Sequence, residues 1–169
     1  MAQTSSVAMF SGRKQVVLVR HGESEGQTCR NRGITREHPS LLDCSLSRSG
    51  ISQAKSMWPG RLGTPDLIVT SPLKRAMLTT LLAFSSLERT PIICHPAVRE
   101  RGSKIPENRL RPLQDILADE DLLSFPSFER IDLSLAVAAF PPSGSAQADP
   151  ALDPEPGEQD CESQPGGKK

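Results

Sequence analysis

The sequence predicts an α/β domain built on a parallel sheet, and three observations carry that expectation. Three short apolar runs, at residues 16–19, 67–69 and 91–94, each stop abruptly at polar or turn-forming residues. Two stretches with helical periodicity, 47–58 and 72–81, lie between them. Strand and helix in alternation are the pattern of a parallel sheet joined by right-handed crossovers.

Val16-Val17-Leu18-Val19 is β-branched and apolar, so it reads as a short buried strand. Gly22 supplies backbone freedom directly after Arg20 and His21. The pair would then sit at the carboxyl end of a strand, where open α/β sheets bind ligands. Residues 25–39 are polar and read as a loop or irregular helix. The helix expected over 47–58 has Ser47 as its cap, Ile51, Ala54 and Met57 or Trp58 at helical spacing, and Pro59-Gly60 as its end. The second strand, 67–69, is stopped by Thr70-Ser71-Pro72. Pro72 suits the first turn of a following helix capped by Ser71, with Leu73, Ala76, Met77, Thr80 and Leu81 on its apolar face. The third strand, 91–94, leads into His95-Pro96-Ala97-Val98-Arg99-Glu100, and 113–123 reads as a further helix.

At 169 residues the chain has room for one domain with a sizeable core. Its low aromatic content, with 15 prolines and 12 glycines, predicts that part of it carries no packed structure. The expected division is a flexible N-terminus over 1–14, a domain over 15–138, and a disordered Pro/Gly/acidic tail over 139–169. No apolar run approaches the roughly 20 residues of a membrane span, and the first fifteen residues lack a secretory core. Cys29, Cys44, Cys94 and Cys161 show no CxxC spacing, so reduced thiols in a cytoplasmic protein are expected, with no zinc site.

The net charge of zero conceals an asymmetry: residues 1–112 carry a surplus of nine positive charges and 113–169 an equal negative surplus. A basic front half favours an anionic ligand. Nucleic acid is disfavoured, because no helix-turn-helix, zinc finger or aromatic stacking signature accompanies the charge.

Arg20-His21 alone is an ordinary strand end. It gains meaning from three later segments: Asp43-x-x-Leu46-Ser47-x-x-Gly50-x-x-Gln53-Ala54, Thr70-Ser71-Pro72-Leu73-x-Arg75-Ala76, and Val98-Arg99-Glu100. In this order, over roughly residues 15–135, the chain resembles the histidine phosphatase superfamily, which includes phosphoglycerate mutases and many small phosphatases. The resemblance implies a parallel-sheet, three-layer phosphoglycerate mutase-like fold. It implies that His21 is the nucleophile, Arg20 and Arg75 clamp the phosphate, and Glu100 is the general acid. A guanidinium pair supplies fixed positive charge for the equatorial phosphoryl oxygens, and no metal or other cofactor is needed. The Asp43 segment reads as structural, with Ser47 capping a helix and Gln53 and Ala54 packing it.

Two departures qualify the match. Where the family has an asparagine donating to the phosphate, this chain has Gln27, one methylene longer. The family's second histidine follows the acid, whereas here no histidine follows His95. The expectation is therefore a C-terminally truncated domain that exposes part of its sheet and can self-associate through it. The function expected is hydrolysis of small phosphomonoesters through phospho-His21, impaired by the lost donor. The alternatives are a catalytically inactive phosphate-binding or interaction protein, or a truncated gene product. A small phosphorylated substrate is the expected partner; nucleic acid and membrane are not.

Overall fold

The computed structural model describes residues 14–57, 63–102 and 105–141. Three strands, β1 (Ile68–Thr70), β2 (Ile92–Cys94) and β3 (Ile131–Asp132), form a parallel sheet in the order β1-β2-β3. Ile68 stands opposite Ile92, and Ile92 opposite Ile131, so three buried isoleucines form one row across the sheet. Each such side chain contributes about 1.5–3 kcal/mol on leaving water. The parallel α/β class expected from the alternating runs is the class observed. Strand β3 was not announced by an apolar run; its two residues pair because β2 offers them an edge.

Helix α1 (Glu25–Asn31) is capped at both the backbone and side-chain level by Ser24, whose hydroxyl accepts from Gln27 while the Gln27 side chain accepts from Ser24 N. This capping box makes a regular helix in a stretch whose polarity suggested a loop or irregular helix. Helix α2 (Arg48–Ser56) begins where the sequence indicates, with Ser47 Oγ accepting from Gly50 N at 3.0 Å. Its expected end at Trp58-Pro59-Gly60 lies outside the described residues.

Helix α3 (Lys74–Ala83) is the central element. It buries Met77, Leu78, Leu81 and Leu82 against Ile68 and Ile92 of the sheet, and against Ala54 of α2 and Leu122 of α5 (Glu120–Leu123). The expected cap, Ser71, serves a turn earlier and accepts from Leu73 N. Asp43 does the capping instead: its Oδ1 accepts from Lys74 N at 2.8 Å across thirty-one residues of sequence. A single helix over 113–123 is also not observed. Asp119 breaks it into α4 (Leu113–Leu117) and α5, because its side chain accepts from Leu122 N and starts a new helix there.

The largest departure concerns residues 16–19. The segment is irregular, and Val16 and Leu18 are 79% and 93% exposed. A β-branched run becomes a strand only where a neighbour supplies ladder hydrogen bonds, and among the described residues none pairs with it. The outer edge of β1 is likewise unpaired among the described residues.

Ala139 ends a short 3-10 turn and Phe140 packs on the core. The acidic tail from residue 142 onward, and residues 1–13, lie outside the described residues. Cys44 and Cys94 are free and buried, as expected, but Cys29 is disulfide-bonded, which departs from a wholly reduced set. No helix among the described residues is long and apolar enough to cross a membrane.

Candidate active site

The loop 20–24 is wedged between two helices. Gly22 N donates to Thr79 Oγ1 of α3 at 3.1 Å, and Thr79 Oγ1 in turn donates to the Arg75 carbonyl. On the other side Gly22 and Gly50 pass so closely that a Cβ on Gly22 would collide with the Gly50 carbonyl oxygen, and one on Gly50 with that of Glu23. Glu23 completes the lock: its N donates to Gln53 Oε1, and its carboxylate accepts from Ser47 Oγ at 2.6 Å. Ser47 and Gln53 therefore hold the loop that carries His21. This gives the Gly50 and Gln53 positions a physical role that their spacing alone did not reveal.

His21 Nδ1 donates to the Gly22 carbonyl at 2.7 Å, which leaves Nε2 unprotonated. Arg75 Nε donates to that Nε2 at 3.2 Å. Burial pulls the His21 pKa below the usual imidazole value, and the Arg75 charge pulls further in the same direction, against the Gly22 carbonyl and Glu100. The pocket thus holds the neutral imidazole, in the tautomer whose free nitrogen faces the guanidinium.

Arg75 is buried, with its side chain 3% exposed. Its Nη1 donates to the Glu107 carbonyl, and its Nη2 to both Glu100 Oε2 and Asn108 Oδ1 at 2.8 Å. Glu100 Oε2 also lies 4.0 Å from His21 Nε2. Burial works to raise the Glu100 pKa, but the hydrogen bond and charge of Arg75 outweigh it and hold the carboxyl below its ordinary range. The helix start of α3, the turn 99–101 and the loop 20–22 therefore converge on one cluster of base, cation and acid.

The other expected residues are placed less centrally. Arg20 is exposed and makes no hydrogen bond or ion pair among the described residues, although its charge is felt at His21. Gln27 spends its carbonyl oxygen on the α1 cap. His95 and His38, neither of them an expected site residue, cap short 3-10 turns of their own, accepting from Ala97 N and Ser40 N. Among the described residues no group of three or more His, Cys, Asp or Glu is placed to hold a metal ion.

Of three buried groups around the cluster, Glu107 and Asn108 escaped the sequence reading, while Asp43 heads the segment read as structural. Glu107, on the turn Pro106–Asn108, sits between Arg30 Nη1 at 2.5 Å and Arg36 Nη2 at 3.0 Å. Asn108, fully buried, bonds Arg75 and donates to the Arg101 carbonyl at 2.7 Å. Asp43, beyond capping α3, accepts from Arg111 Nε at 3.3 Å. Burial pushes its pKa up to about 6, despite the Lys74 backbone bond and Arg111. No local pattern marks Glu107 or Asn108, and the segment that contains Asp43 does not show its distant partners Lys74 and Arg111.

Neither a curated protein nor a solved structure matches the chain. A family model does: that of the histidine phosphatase superfamily (branch 1), over residues 16–115. The match spans His21, Arg75 and Glu100 together with the helices that position them, and it covers more than half of the sequence. The chain belongs to the histidine phosphatase superfamily.

Proposed function

We propose that the chain hydrolyses small phosphomonoesters through a phosphohistidine on His21. The observation that carries this reading is the hydrogen-bonded cluster of His21, Arg75 and Glu100 around an unprotonated Nε2. Nε2 attacks phosphorus, and the N–P bond forms as the P–O bond to the leaving group breaks. Arg75 and Arg20 stabilise the equatorial oxygens. Glu100, as the carboxylic acid, gives its proton to the leaving oxygen; as the carboxylate, it then takes a proton from the water that cleaves the N–P bond. Inorganic phosphate leaves, and His21 is restored.

Glu100 is ionised while it bonds Arg75, so the acid form has to be made by binding. A phosphoryl dianion that takes Arg75 for itself releases Glu100 and adds negative charge beside it, and both effects raise its pKa. No histidine follows His95 in the chain to serve as a further donor. Each missing transition-state donor costs about 10²–10³ in rate, so slow turnover is the expectation.

The test is p-nitrophenyl phosphate turnover by the purified chain and by His21→Ala. Slow turnover that vanishes in the variant supports the hydrolase. Cooperative unfolding with inorganic phosphate protection but no turnover favours an inactive phosphate-binding protein. The absence of a cooperative transition would count against both readings.

Self-association belongs to the same proposal. The exposed Val16 and Leu18 and the outer edge of β1, unpaired among the described residues and with Val69 half-exposed, support pairing between copies.

A further inference from the structure

We propose that Asn108 is a positioning residue of the pocket, holding Arg75 and the Glu100-bearing turn in one fixed relation. The inference rests on the phosphoryl-transfer reading only for its consequence; the positioning itself is testable without substrate.

Arg75 has five N–H donors, and those already described are directed at His21, Glu100, Asn108 and the Glu107 carbonyl. Two of these partners, His21 and Glu100, are the groups that must change partner when a phosphoryl group enters. The other two, the Glu107 carbonyl and Asn108, belong to the turn Pro106–Asn108 and take no part in the chemistry. They fix the plane of the guanidinium from behind. A planar fork held at two points has no freedom to rotate, so the remaining N–H groups face the pocket.

Asn108 adds something the carbonyl cannot. Its Oδ1 accepts from Arg75 Nη2, and its Nδ2 donates to the carbonyl of Arg101, the residue after Glu100. One fully buried amide therefore ties the cation on α3 to the backbone of the acid's own turn. Both ends of the amide are used, so neither a carboxylate nor an apolar isostere can replace it without leaving a buried group unpaired.

The experiment follows His21 by NMR titration in the phosphate-free chain. The groups that face the imidazole are Arg75 from α3, Glu100 from the following turn, and Arg20 and the Gly22 carbonyl from its own loop; Arg36 acts only indirectly, through Glu100. In Asn108→Leu the guanidinium is free to turn away from Nε2, so the His21 pKa is expected to rise toward the ordinary imidazole value. Leu122→Ala, in the fully buried core of α5, is the control for plain destabilisation and should leave His21 where it is. Asn108→Ala, which leaves room for a water, is the milder second variant and should move His21 in the same direction.

A His21 titration that is identical in wild type and both Asn108 variants overturns the proposal, and so does an equal shift in Leu122→Ala. Inorganic phosphate binding gives an independent readout. The Asn108 variants should bind it about tenfold more weakly than wild type, the loss of one hydrogen bond to a charged group. If the wild type binds no phosphate, the functional reading fails, while the His21 titration still decides the role of Asn108.

Discussion

Arg75 Nε donates to His21 Nε2 at 3.2 Å, so the guanidinium occupies the lone pair that a nucleophilic imidazole needs. The resting pocket is held closed by its own residues. Arg75 neutralises Glu100, orders His21 and waits for an anion that outcompetes both. Arg75→Lys keeps the charge but not the fork, and an ammonium with three N–H groups cannot serve His21, Glu100, Asn108 and the Glu107 carbonyl at once. Inorganic phosphate affinity is expected to fall about 10- to 100-fold, the worth of one buried charge-assisted hydrogen bond. Calorimetric titration measures it; affinity within twofold of wild type would remove Arg75 from the binding site.

The pH profile of turnover follows from the same geometry. His21 attacks only as the neutral imidazole, and its pKa lies below 6.5 because the site is buried beside Arg75. As pH rises, kcat/KM should therefore climb to its plateau before the ordinary imidazole value is reached. The fall belongs to kcat, which reports the complex: it should decline as Glu100 loses its proton there, giving an acidic optimum. Glu100→Gln should abolish that falling limb. A profile of the variant that still falls with the wild-type midpoint would assign the limb to another group.

Ser47 stands at a junction between fold and site. Its hydroxyl accepts from Gly50 N to start α2 and donates to Glu23 Oε1, beside the loop that carries His21. Ser47→Ala removes both bonds and should cost about 1–2 kcal/mol. For a domain of this size that is roughly 3–8 °C in Tm. A melt within a degree of wild type would show the cap to be dispensable.

Strands β1 and β2, and helix α2, were legible because short apolar runs and helical spacing are local signals. The convergence of His21, Arg75 and Glu100 was legible for a different reason: the order of four motifs encodes a family's pocket even when they are far apart in sequence. Glu107, Asn108 and the partners of Asp43 were not legible, since what distinguishes them is burial beside groups far away in the chain. Residues 16–19 were misread because β-propensity describes what a segment favours once it is paired. The chain supplies the propensity, and the described structure supplies no partner.

That unpartnered segment makes its own prediction. Leu18 and Val16 are the most exposed of the four apolar residues 16–19. A double substitution Val16→Ser and Leu18→Ser removes apolar surface without touching the core. Sedimentation velocity should show associated species in the wild type and a shift toward monomer in the variant. An unchanged distribution would exclude this segment as the contact.

Asp43 gives the clearest stability signature. Its folded pKa is raised to about 6 from 3.8, because burial outweighs the Lys74 amide and Arg111. A carboxyl with a raised folded pKa binds its proton more tightly in the folded state. Its contribution is therefore fully present below the unfolded pKa and is lost as pH rises through about 6. Two units correspond to at most about 3 kcal/mol between pH 4 and pH 7. Asp43→Asn keeps an acceptor for Lys74 N, and Asn tolerates the positive φ of 43° at this position. The raised pKa already includes the effect of Arg111, so the lost bond adds no further pH dependence, and Arg111 retains Asp119 at 2.7 Å. The difference in unfolding free energy between variant and wild type should thus change with pH in favour of the variant as pH rises from 4 to 7. Urea denaturation at a series of pH values measures that difference. A difference that stays constant across the range would mean that Asp43 is ionised throughout and that its partners fully compensate its burial.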